Sequence, residues 1–177
     1  MRIDNLRTGR APVPPMPPLD ELEATHRELM LALEQLDQLV RGVERDGSTA
    51  PLRAIARSVV RFFAEVGHHH HTEEERHVFP DLLASGDVDL IQHVHRLQQD
   101  HGWLEEDWRE IGPQVDALAQ GIGGVDFDTL RQAVEVFSLL YREHIALEES
   151  LIYPEARRLA KLEREQAQIR AAATSSS

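Results

Sequence analysis

Two eleven-residue stretches of this chain repeat a pattern of nitrogen and oxygen donors. His70, Glu74, Glu75, Phe79 and Pro80 recur with identical spacing as His144, Glu148, Glu149, Tyr153 and Pro154. On a helix, residues four apart lie on one face a turn apart, so each histidine and the first glutamate of its pair converge on one point. Imidazole and carboxylate converging in this way are ligands for a cation. The second glutamate falls about 140° around the helix from its histidine, which gives Glu75 and Glu149 supporting or surface roles. A single His/Glu pair of this kind is most simply an exposed ion pair worth a few tenths of a kcal/mol. Two copies on apolar helix seams, level with two further seam histidines, differ in kind. Burying four imidazoles and two carboxylates without partners costs several kcal/mol, comparable to the stability of a whole domain. A metal centre removes the conflict, and a buried hydrogen-bonded network is the alternative.

The chain has ten histidines against two tyrosines and two tryptophans. His26 and His101 also occupy seam positions. His68, His69 and His71 flank His70, and only one of four consecutive residues is expected to point at a centre. The others then form a solvent-facing patch, whereas a register slip of one residue makes His69 or His71 the ligand. His93 and His95 lie two turns from His101 and are expected at the surface. Glu23 with His26, and Glu74 with His77, also match the Glu-x-x-His spacing of ferritin-like carboxylate proteins. That architecture needs further seam glutamates on the partner helices, where this chain offers His101 and His144. Trp103, Trp108, Phe62, Phe63, Tyr141 and Met30 have the character of a gas pocket, although an aromatic stripe at helical spacing is more often plain core.

The elements that must position these residues are helices. Ala11 to Pro18 is too proline-rich for a helix interior, which makes residues 1–18 an extended arm. Leu22, His26, Leu29, Leu33, Leu36 and Val40 then step alternately by four and three, the seam of a first bundle helix. Val59, Phe63, Val66 and His70 continue the pattern in a second helix ending near Ala84-Ser85-Gly86. Leu90, Val94, Leu97, His101, Leu104, Trp108, Ile111, Val115 and Leu118 mark a third, with a kink or break expected at Gly112-Pro113. Leu130, Val134, Phe137, Tyr141, His144, Glu148 and Leu151 mark a fourth. Residues 161–177 read as a frayed tail. The fold class is therefore all-α, an antiparallel up-down-up-down four-helix bundle over residues 19–160. Counting about 1.5 Å per residue from each turn puts His26, His70, His101 and His144 at one depth.

Composition narrows the function further. A net charge of −12 excludes a surface for nucleic acid or an anionic membrane, both of which need a basic face. The absence of cysteine removes thiolate zinc sites, iron–sulfur clusters and disulfides, so any metal is held by nitrogen and oxygen. No signal-peptide core or membrane-spanning stretch is visible, and a cytoplasmic location is the default expectation.

These residues resemble the hemerythrin-like, or HHE cation-binding, domains. The likeness covers about residues 19 to 158 and rests on His26, the two repeated segments and the Asp100-His101 pair. It implies a di-iron centre in which Glu74 and Glu148 bridge while His26, His70, His101 and His144 are terminal ligands. Two octahedral irons with these ligands and a bridging oxygen species would leave about two positions open. Manganese or zinc fit such a donor set less well. The hemerythrins proper carry two histidines four apart on the third helix. Here His101 has Leu97 before it and Glu105 after it, which makes Glu105 a candidate extra ligand. The resemblance implies a protein that binds dioxygen, nitric oxide or peroxide for sensing, delivery or iron handling, with a separate protein partner if it is a sensor. The alternatives are a di-iron enzyme reducing those molecules and a histidine-rich metal buffer.

Overall fold

The apolar seams become largely buried stripes in the computed structural model, which describes residues 19–175, although the expected seam residues Val66 and Leu151 are only half-buried. The proline-rich arm read at residues 1–18 lies outside them. Helix α1 (Leu19–Asp46) buries Leu22, His26, Leu29, Leu33, Leu36 and Val40. The second rod is built of α2 (Ala50–Phe62), a π-helical turn (Phe63–Gly67), α3 (His68–His77) and α4 (Phe79–Leu83). The third is α5 (Val88–Gln120), and the fourth is α6 (Phe127–Leu147), a second π turn (Glu148–Ile152) and α7 (Tyr153–Ser175). Among the described residues there is no strand. Helix α1 packs on α2 and α6, and α5 packs on the same two, closing a ring of four rods.

Local chemistry sets the rod ends. Asp87 caps α5 by accepting from the backbone N–H groups of Asp89 and Leu90, each at 3.1 Å. The same helix stops at Gly121, whose φ of 72° suits a residue without Cβ. Asp126 caps α6 through the Thr129 N–H.

Three details depart from the expected helices. Helix α5 runs through Gly112-Pro113 without a break. Pro113 is exposed, so the carbonyl it leaves without a helical donor is free to tilt toward water, while buried Gly112 lies against Trp108. The second and fourth rods are not uninterrupted α-helices, since each carries a π turn beside its repeated motif. Finally, the chain stays helical past Leu159 to Ser175, although side chains from 161 to 173 are exposed. Strong helix formers and the Lys161–Glu165 pair at 3.9 Å sustain it there.

The apolar interior falls into two clusters. The larger holds Leu29, Leu33, Leu36, Val59, Phe63, Ile111, Val115 and Phe137, and the smaller holds Leu19, Leu22, Phe79, Leu82, Leu90, Leu97 and Ile152. Between them lies a layer of buried polar groups.

Candidate metal centre

Each rod contributes to that layer. His26 comes from α1, His70, His71 and Glu74 from α3, Asp100 and His101 from α5, His144 from α6, and Glu148 from the first position of the second π turn. All are at most 3% exposed. π turns insert an extra residue and re-aim the side chains around them, which is why they concentrate at functional sites. One immediately precedes the histidine run and the other begins at the glutamate of the second motif.

Each glutamate faces two ways. Glu74 Oε1 lies 3.4 Å from His70 Nε2 and 3.8 Å from His26 Nε2, while its Oε2 lies 3.5 Å from His101 Nε2. Glu148 Oε2 lies 3.2 Å from His26 Nε2, and its Oε1 lies 3.2 Å from His144 Nε2 and 4.0 Å from His101 Nε2. Two ligand groups result, His26–His70 and His101–His144, and both share both carboxylates. His71 joins His101 and His144 in a third, overlapping group.

These donors have the look of ligands because hydrogen bonding does not use them. Among the described residues, both ring nitrogens of His70 and His144, Nε2 of His101, Oε2 of Glu74 and both Glu148 oxygens have no hydrogen-bond partner. Leaving so many buried polar atoms unmet is costly, and a cation among them satisfies them at once. Sets of imidazoles and carboxylates without sulfur match this purpose.

Outer groups orient the rings. His101 Nδ1 donates to Glu75 Oε1 at 2.8 Å and His26 Nδ1 donates to Glu149 Oε1 at 3.2 Å, which leaves both Nε2 atoms facing inward. Glu75 and Glu149 are thus supports, as their angle on the helix suggests. Asp100 sets its carboxylate 3.8 Å from His144 Nδ1, too long for a hydrogen bond but close enough for attraction. Tyr153 Oη donates a short hydrogen bond to Glu74 Oε1 and lies 3.1 Å from His26 Nε2. Tyr141 Oη lies 3.1 Å from His71 Nε2.

Proton affinities follow from crowding charges without water. Burial lowers that of His26, but Glu148 and Glu74 outweigh it and raise the pKa to about 9. Burial is likewise outweighed at His144, where Glu148 and Asp100 raise it to about 10. Burial and the neighbouring Glu148 would raise Glu74, yet His70, His101 and His26 hold it at about 2. Glu148 is held well below the usual carboxylate range by His144 and His26 against the effect of burial. Burial pushes His70 down, and burial with adjacent His101 pushes His71 far down. At neutral pH without metal, two protonated imidazoles therefore balance two carboxylates.

The six residues expected from the sequence to gather, His26, His70, Glu74, His101, His144 and Glu148, stand in these groups. Glu105 does not. Its Oε1 hydrogen-bonds His68 Nδ1 at 2.8 Å at the surface, because its carboxylate turns toward α3's exposed start. The expectation that one of four consecutive histidines faces inward also fails. His70 and His71 are both buried, although about 100° apart on α3, because one faces α1 and the other α5. His70 meets the His26 ring at 4.8 Å, and His71 stacks on His101 at 4.0 Å. His69 and His68 stay exposed. The residues of the ferritin-like spacing go elsewhere, Glu23 to Arg157 at 2.7 Å and His77 to Glu73 at 3.6 Å.

Sequence reasoning assigned no role to Tyr153 or to Asp100 beyond their place in motifs, and their polar atoms beside seam ligands were the available signal. The aromatics divide. Trp103 is 48% exposed, and Phe62 and Met30 pack on the larger core. Phe63, Trp108, Phe137 and Tyr141, with Gly67 and Leu104, line a cavity of about 280 Å³ that reaches His71.

Comparison with known proteins adds three findings. The family model described as the hemerythrin HHE cation binding domain matches residues 17–156. An uncharacterised protein of Haemophilus influenzae is 28% identical over 134 residues, covering 76% of each chain. No solved structure matches.

Proposed function

Because the chain belongs to the hemerythrin family of HHE cation-binding domains, we propose that it holds two iron ions and binds a small uncharged ligand such as dioxygen or nitric oxide beside them. The observation that carries this reading is the double-facing pair Glu74 and Glu148, each presenting one oxygen to each set of imidazoles. His26 and His70 would hold one ion, and His101 and His144, with His71 beside them, the other. The donor number exceeds what a tetrahedral zinc site takes, and the donors suit iron or manganese. A bound iron pair supplies open coordination positions and one-electron chemistry.

The protein's own residues do the rest. Glu75 and Glu149 keep Nδ1 of His101 and His26 occupied so that Nε2 points inward. Tyr153 holds Glu74 Oε1 in place. The cavity beside His71, walled by Phe63, Trp108, Phe137 and Tyr141 with His68, Glu105 and Arg109 also in its lining, gives a small ligand a largely apolar approach to the second half of the site. Sensing, delivery and iron handling all remain within this reading, with a separate partner protein for a sensor.

One observation favours a catalytic variant of the same site. The phenol of Tyr141 lies in the cavity wall, next to His71, where it would be placed to hydrogen-bond a bound peroxide. Metal analysis and optical spectra of protein from iron-replete cells test the whole proposal, with about two irons per chain expected. Zinc, or no metal, would refute it. A reversible spectral change on adding and removing oxygen, without net consumption, supports binding. Sustained consumption of peroxide or oxygen assigns the enzyme instead.

A further inference from the structure

Three described openings reach the ligand layer, and they differ in charge. The aromatic cavity ends at His71. A second opening reaches His26 between Met30, Leu31 and Ile145, where Arg27 and Arg142 are balanced by Glu34 and Glu149. The third, about 140 Å³, reaches His70 from the α1 side and is lined by Glu21, Thr25, His69 and Glu73.

Resting on the two-iron reading, we infer that this third opening is the route by which divalent iron enters, with His69 and Glu73 as a transient holding site. His69, Glu73 and His77 lie four residues apart in succession, so they form one row along α3 adjacent to the His70–Glu74 row. Glu73 Oε2 lies 3.6 Å from His77 Nε2, and Arg76 approaches its other oxygen at 3.7 Å from the exposed side. Two observations point to a cation here. His70, 3% exposed, lines the opening, and among the described residues neither of its ring nitrogens has a hydrogen-bond partner. Behind the opening's lining, His77 Nε2 beside Glu73 is buried and has none either. Thr25 is not a donor to the opening's occupant, since its hydroxyl is spent on the Glu21 carbonyl at 3.1 Å. A dication approaching the second opening, or the aromatic cavity with its Glu105 and Arg109, meets carboxylates offset by arginines. The Glu21–Glu73 opening offers exposed Glu21 and His69, then half-buried Glu73 and the unpartnered nitrogens of His70, with no arginine or lysine in its lining. The outer pair of the histidine run thus acquires separate duties: His68 pairs with Glu105 on the far side, and His69 serves the entry.

The test is the rate at which metal-free full-length protein takes up Fe(II) under anaerobic conditions, read by stopped-flow competition with a chromogenic chelator. The double variant His69→Ala/Glu73→Gln should load about tenfold more slowly, while its final iron content and optical spectrum equal those of the parent. Glu21→Gln, on a different helix, should slow loading in the same direction. Glu105→Gln, beside the aromatic cavity, should leave the rate unchanged. Loading of the double variant at the parental rate overturns the inference, as does equal slowing by Glu105→Gln. Failure of the parent protein itself to take up iron overturns the two-iron reading, a separate and distinguishable result.

Discussion

Glu74 and Glu148 each serve two sets of histidines, so their loss should not be partial. Replacing either with alanine should abolish binding of both ions, measured as metal per chain after purification. Glu75 and Glu149 act one bond further out. Their change to alanine should keep the fold and weaken metal affinity by about 10- to 100-fold in chelator competition. Glu105→Ala should leave iron content and spectrum unchanged, since that carboxylate pairs with His68. His71→Ala should release one ion to a weak chelator while the other stays. The clustering of the histidines and glutamates of the repeated motifs was legible because a four-residue spacing maps directly onto one helix face. His71 was not, because facing is a property of the helix's position in the bundle as well as its phase. Nor was the supporting role of Tyr153, whose partner Glu74 is 79 residues away in sequence.

At the scale of elements, heptad-like seams revealed the four rods and their turns, since burial of an amphipathic stripe is what forms them. The π turns escaped that reading: each moves the buried seam on by one residue, from the expected Val66 and Leu151 to Gly67 and Ile152. Of the kink or break expected at Gly112-Pro113, the break does not occur, for a different reason. Pro113 sits on the solvent side of α5, where a missing N–H and a tilted carbonyl are tolerated. It still removes one helical bond, so Pro113→Ala should raise unfolding stability by about 1 to 3 kcal/mol. Chemical denaturation monitored by circular dichroism would read the change.

For the molecule as a whole, the buried charges tie metal, protons and stability together. His26 has a folded pKa of about 9, above its unfolded value, so its contribution is complete below about pH 6.5 and fades as pH rises through 9. Glu74, at about 2, contributes fully above about pH 4.5 and loses that contribution as pH falls through 2. Metal-free protein should therefore lose stability on both sides of a mildly acidic plateau, a trend visible in melting temperature against pH. Iron must displace protons from His26 and His144, so loading at pH 7 should release about two protons per chain into a weak buffer. Affinity should climb with pH until those imidazoles are neutral. The division of the apolar interior into two clusters on either side of the ligand layer has its own outcome. Without a cation, the two oily compartments share the rods that run through both, but their side chains meet across a layer of mutually balanced charges, so the smaller compartment should open more readily. Amide hydrogens in α4 and at the starts of α1 and α5 should then exchange with deuterium faster than those of the opposite end, and iron should slow them by welding the two compartments into one cooperative unit.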